Sequence, residues 1–120
     1  MFMQTMTSGA VLARFGHALS DPTRARILLA LREDPAYPSD LAELLGVSRQ
    51  SLSNHLTCLR GCGLVVAIPE GRRTRYELAD PRLAHALTDL MDVVPTGDPQ
   101  HIAALHLSVD VPHRAPASAP

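Results

Sequence analysis

Leu41-Ala42-Glu43-Leu44-Leu45-Gly46-Val47-Ser48-Arg49-Gln50-Ser51-Leu52-Ser53-Asn54-His55-Leu56 is the stretch that decides the fold. Leu41, Leu44 and Leu45 fall at helical spacing, and Gly46 ends that helix in a tight turn. Ser48 is placed to cap a further helix running to about Arg60, with Leu52, Leu56 and Leu59 as its apolar stripe. The opposite face carries Ser48, Arg49, Gln50, Ser53 and Asn54. These are the donor-rich types that hydrogen-bond base edges and phosphates. Two short helices joined by a glycine turn form a helix-turn-helix, in which the second helix enters the major groove.

The flanking sequence completes the pattern. Upstream, Val11, Leu12, Phe15, Ala18 and Leu19 predict a helix over Ser8–Leu19. Asp21 and Pro22 supply an N-cap and a first helical residue for a second helix to about Arg32, with Ile27, Leu28 and Leu31 facing inward. Residues 33–38 read as a loop, and Ser39 or a neighbour as the cap of the third helix. Downstream, Leu64–Ile68 and Thr74–Leu78 read as strands around a turn at Pro69-Glu70-Gly71-Arg72. Arg72, Arg73 and Arg75 give this hairpin a basic tip suited to phosphate or the minor groove. Asp80-Pro81 opens a last helix through Leu83, Ala84, Leu87, Leu90 and Met91, which Pro95 and Pro99 stop. Residues 100–107 have the pattern for one or two more helical turns, and the Pro/Ala-rich tail from Val111 reads as disordered. The expected fold is therefore α+β and mostly helical: a winged helix-turn-helix with a two-stranded wing. Residues 1–94 form the expected DNA-binding and dimerisation domain, and 95–120 a C-terminal tail.

Composition narrows the class further. A chain of 120 residues suggests one small domain with a thin core, so a homodimer is expected on stability grounds. Hydrophobic residues reach 46%, too many for a disordered chain. No apolar run approaches the ~20 residues of a membrane span. Met1–Ala10 lacks the charged and apolar regions of a signal peptide, so the expected location is the cytoplasm, without membrane contact. The formal net charge is −1, so nucleic-acid binding must rest on local charge rather than on a global basic field. Every strong cation is an arginine, a bias that a GC-rich coding sequence accounts for.

Cys58 and Cys62 are the other chemical signal. Four residues apart, they project from one face of the helix that carries the DNA-reading side chains. Their Cα atoms, about 6 Å apart on successive turns, sit near the upper limit for a disulfide. Metal ligation or simple burial are the readings left. The helix C-terminus disfavours thiolate, and a bound divalent cation would offset that. The spacing is not Cys-x-x-Cys and no βαβ unit surrounds it, so an enzyme is not expected. A regulator answering thiol oxidation is the alternative function.

The runs Asp21–Leu28, Leu41–Leu45, His55–Val65 and Gly71–Leu78 together resemble the ArsR/SmtB repressors over about residues 10–93. The resemblance implies a homodimer built on the first and last helices, with Phe15, Leu19, Leu87 and Leu90 at the interface. It also implies repression of operator DNA that metal binding relieves. Of the family's sensor sites, the thiolate site at the start of the third helix finds Ala36-Tyr37-Pro38-Ser39-Asp40 here, without cysteine. The site on the last helix finds Asp80 and Arg82, then Val93 and Thr96, and lacks its histidines. The run Leu56-x-Cys58-Leu59-Arg60-Gly61-Cys62-Gly63-Leu64-Val65-Val66 is similar to the family's cadmium- and lead-sensing branch. That branch takes a third cysteine from the partner's tail, and His101 stands nearest that position here, with His106 beyond it. The resemblance thus implies a site of Cys58, Cys62 and His101 for cadmium, lead, zinc or nickel. Two thiolates and an imidazole suit a tetrahedral soft-metal shell. His55 reads as a capping or core residue, and His17 and His85 as structural or exposed.

Overall fold

The structure, a computed structural model, describes residues 7–93. Its elements run α1 (Ser8–Leu19), α2 (Pro22–Glu33), α3 (Pro38–Leu45), α4 (Arg49–Gly61), β1 (Val65–Glu70), β2 (Arg73–Leu78) and α5 (Pro81–Val93). The chain divides into compact units at 1–87 and 88–120, and only the end of α5 is described in the second. The C-terminal segment, with His101, the expected turns at 100–107 and the tail, lies outside the described residues.

Helix starts follow local chemistry. Thr7, Asp21 and Ser48 cap α1, α2 and α4, each side chain accepting the backbone N–H three residues on. α3 departs from expectation. Tyr37 is its N-cap without a side-chain bond, Pro38 takes the first turn, and Ser39 is no cap. A proline at the first helical position lacks an N–H that would have had no partner within the helix, and its fixed φ suits the start of a helix. Gly46 closes α3 at φ 70°, a left-handed geometry that glycine adopts without strain.

α2 is the central helix, packing on α1, α3, α4 and β2. Its Ile27, Leu28 and Leu31 join Leu41, Ala42 and Leu45 of α3 and Leu52, Leu56 and Leu59 of α4 in one core. Ala18, Val65 and Leu87 close that core from α1, β1 and α5. Each fully buried leucine contributes roughly 1.5–3 kcal/mol of transfer free energy. Two α2 arginines act on neighbouring helices. Arg24 donates to the carbonyls of Ala18 and His17, both at 3.0 Å, and so caps the end of α1. Arg26 donates to the Leu45 carbonyl at 3.2 Å and does the same for α3.

The wing is an antiparallel pair running from Val65↔Leu78 to Glu70↔Arg73. The strands reach further than their residue types suggested, so Pro69 and Glu70 are strand rather than turn, and only Gly71 and Arg72 turn the chain. Pro69 is tolerated because its nitrogen faces away from β2. On its outer side β2 is bridged by Ala36, which exchanges both backbone bonds with Tyr76 at 2.9 and 2.8 Å. The stretch expected to be a plain loop thus includes one residue, Ala36, that bridges to the two-stranded wing.

Candidate functional site

α4 carries two chemically distinct ends. At its N-terminal end Ser48, Arg49, Gln50, Ser53 and Asn54 are all exposed. Gln50 donates to the Asn54 carbonyl oxygen at 3.1 Å, so these two amides are aligned one turn apart. Ser48 has a structural task as well, since its hydroxyl accepts from the Ser51 N–H at 3.0 Å. The three leucines of the opposite stripe fix which way this face points.

The three wing arginines do not behave alike. Arg72 is exposed at the turn. Arg73 lies over the Tyr37 ring, 3.5 Å from its centroid, and 4.0 Å from the Asp40 carboxylate. Arg75, expected to contact phosphate with the others, is half-buried on β2 and ion-paired to Glu70, with Glu77 at 3.9 Å. Arg73 and Arg75, two residues apart on β2, share one face of the wing, and Glu70 on the paired strand holds Arg75 against it. Sequence reasoning missed Tyr37, which donates its hydroxyl to Glu70. That acceptor pushes the phenol above its usual range, chiefly because phenolate would lose the bond. The signal was faint: a lone aromatic in a proline-bounded loop.

At the other end of α4, Cys58 and Cys62 are half-buried, unbridged and within hydrogen-bonding reach of each other. Cys62 is the C-cap, its N–H donating to the Cys58 carbonyl at 3.0 Å. Burial, then the neighbouring Cys58, pushes the Cys62 thiol up, while Arg14 and Arg24 partly offset the rise. Cys62 also lines an apolar cavity of about 310 Å³ with Val11, Leu12, Arg14, Phe15, Leu64, Leu83 and Ala86. Among the described residues no three His, Cys, Asp or Glu side chains converge as a metal shell. The cysteines therefore offer two soft donors on one face. That fits one side of a thiophilic ion's shell and leaves the rest to be supplied from elsewhere.

Two other positions are accounted for by the protein itself. His55 points its Nε2 at the Asp21 carboxylate, 3.8 Å away, and joins mid-α4 to the cap of α2. Asp80 accepts from the Arg82 guanidinium at 2.7 Å and from its backbone N–H at 2.8 Å. Those bonds hold its carboxyl down to about 2. A carboxylate already closed on an arginine has little left to offer a cation.

The chain is 60% identical over 85 residues to the transcriptional regulator CmtR of Mycobacterium tuberculosis, covering 71% of this chain and 72% of that one. The model of the arsR family of bacterial regulatory proteins matches residues 21–66. The chain belongs to the arsR family. The solution structure of CmtR, described as a cadmium metal-sensor, superposes with a TM-score of 0.61 at 52% identity, over 86% of this chain and 97% of that one. The homodimeric winged helix-turn-helix domain Mb0332 from Mycobacterium bovis matches with a TM-score of 0.65 at 27% identity, over 95% and 100% of the two chains. The winged helix-turn-helix expected from residues 41–78 is thus the architecture of this arsR-family member. No helix among its described residues is long and apolar enough to cross a membrane.

Proposed function

We propose that this arsR-family protein is a homodimeric, metal-responsive transcriptional repressor of the cytoplasm. It binds double-stranded operator DNA and changes its affinity when Cys58 and Cys62 take a soft divalent ion. The observation that carries this reading is the paired thiols on the helix whose other end exposes Arg49, Gln50, Ser53 and Asn54. A ligand that re-aims one end of a rigid helix re-aims the other. The 60% identity to CmtR and the cadmium-sensing function of that relative support the same assignment.

Ser48, Arg49, Gln50, Ser53 and Asn54 read the major groove, and Arg72 and Arg73 hold the backbone. Arg75 acts at one remove, by holding Glu70. Residues 1–94 form the DNA-binding and dimerisation domain, and the segment 95–120 brings His101 to the cysteines as third ligand. Val11 and Leu12 of α1, 51% and 68% exposed, offer the apolar surface for a second copy. Leu87, expected at that interface, is only 3% exposed and belongs to the chain's own core instead. Two thiolates and an imidazole suit cadmium, lead, zinc or nickel, and the cadmium-sensing relative puts cadmium first among them.

The test is a titration of the reduced protein with each ion, followed by thiolate-to-metal absorption, with DNA affinity measured by anisotropy on the same samples. The expected result is saturation at one ion per cysteine pair and a change in DNA affinity of roughly 5–150-fold. An absorption band without any change in DNA affinity would show a metal site that is not a sensor.

A further inference from the structure

Tyr37 belongs to no DNA-reading helix and to no thiol site, yet it touches both sides of the last rung of the wing. Glu70 and Arg73 are the directly opposed pair just before the Gly71-Arg72 turn. The Tyr37 hydroxyl donates to Glu70, and the face of its ring lies 3.5 Å under the Arg73 guanidinium. The second Glu70 oxygen takes Arg75, which fixes the carboxylate that fixes the phenol. One side chain at the start of α3 therefore grips the hairpin from below, beside the Ala36–Tyr76 bridge.

We propose that Tyr37 is a positioning residue for DNA binding, a platform that presents Arg73 to a phosphate. An arginine stacked on an aromatic ring keeps its in-plane N–H donors free for an anion. A free arginine has rotamer freedom to lose on binding, and a stacked one has already lost part of it before DNA arrives. Arg73 is 56% exposed despite the stack, so its edge faces solvent. Asp40, 4.0 Å away and 66% exposed, is a weak partner that a phosphate can replace. This inference rests on the reading that the wing contacts the DNA backbone.

The experiment is a double-mutant cycle on the full chain, with duplex affinity measured across a salt series. Tyr37→Leu removes ring and hydroxyl, and should weaken binding by about tenfold, the worth of a cation–π contact. Tyr37→Phe keeps the ring face and should stay within about threefold of the unsubstituted protein. In an Arg73→Ala background, Tyr37→Leu should cost almost nothing further, because the side chain it serves is gone. Equal losses from Tyr37→Leu with and without Arg73 would overturn the proposal, since Tyr37 would then act on the fold rather than through Arg73. Equal losses from Tyr37→Phe and Tyr37→Leu would overturn the ring's part in it. If Arg73→Ala changes neither affinity nor salt slope, the wing-phosphate reading itself fails, and the platform with it. Thermal melts of each variant separate a binding loss from a folding loss.

Discussion

At its N-terminal end α4 presents polar side chains that engage little but one another, as Gln50 and Asn54 do. At its C-terminal end Cys58 and Cys62 are half-buried, and Cys62 borders a cavity walled by α1, α5 and the residue before β1. Both environments lie on one helix of thirteen residues, a rod of about 20 Å. The first end is built for a partner to land on, and its side chains can be altered without disturbing the core. The second is a junction, where a change in one side chain is felt by two other helices. A signal enters more effectively at a junction, and a sequence is read more effectively from an open face.

The largest test of this division is Cys58→Ser or Cys62→Ser. Metal affinity should fall by more than about a hundredfold, beyond what loss of an outer-shell partner costs. DNA affinity of the metal-free variant should stay within about twofold. A comparable drop in both would mean that the two ends are not separable.

Leu56→Ala cuts the stripe midway between them. At 2% exposure Leu56 is fully packed, and truncation should cost about 2–5 kcal/mol in a urea melt. Both activities should then decline together with the folded fraction. Retention of metal binding in a chain that no longer melts cooperatively would show the thiols working without the rod.

Acidity gives a test confined to the thiol end. The folded state raises the Cys62 pKa above its ordinary 9.0, so the protonated thiol is the form that the fold favours. Its contribution to metal-free stability is therefore complete below pH 9 and is lost as pH rises through the raised value. Metal must displace that proton, so affinity should rise by about tenfold per pH unit for each thiol proton released. Apo-protein melts and metal titrations between pH 6 and 10 read the two effects. Stability that rises through that range in the wild type, and not in Cys62→Ser, would reverse the sign of this account.

The smallest effect belongs to Ser48. Ser48→Ala removes the bond to the Ser51 N–H and should cost about 1 kcal/mol of stability. If Ser48 is mainly a cap, discrimination between operator variants should change little. A large loss of discrimination at full stability would move it wholly to the reading face.

Much of this architecture was legible because the information is local. Asp21 and Ser48 announced their helices through side chains that reach three residues along. The leucine period of α4 told its buried face from its open one. What escaped reading depends on partners distant in sequence. Arg24 and Arg26 carry no local signal of their role, since each caps a helix that it meets only after folding. Residues 36 and 37 carried no periodicity, and their pairing with β2 joins positions about forty residues apart. Leu87 has the same spacing as its exposed neighbours on α5, and only packing assigns it to the core. In the candidate site, the cysteine spacing was legible, and the engagement of Arg75 by Glu70 was not.

The Ala36 bridge and Pro69 together give the wing a property of another kind. An exposed hairpin normally offers unpaired backbone groups along both flanks, an invitation to any other extended chain. Here the outer flank of β2 is occupied where Ala36 bonds Tyr76. The outer flank of β1 carries a proline where an incoming strand would look for a donor. The wing can stand in solvent while the protein is off DNA without inviting a second wing to pair along it.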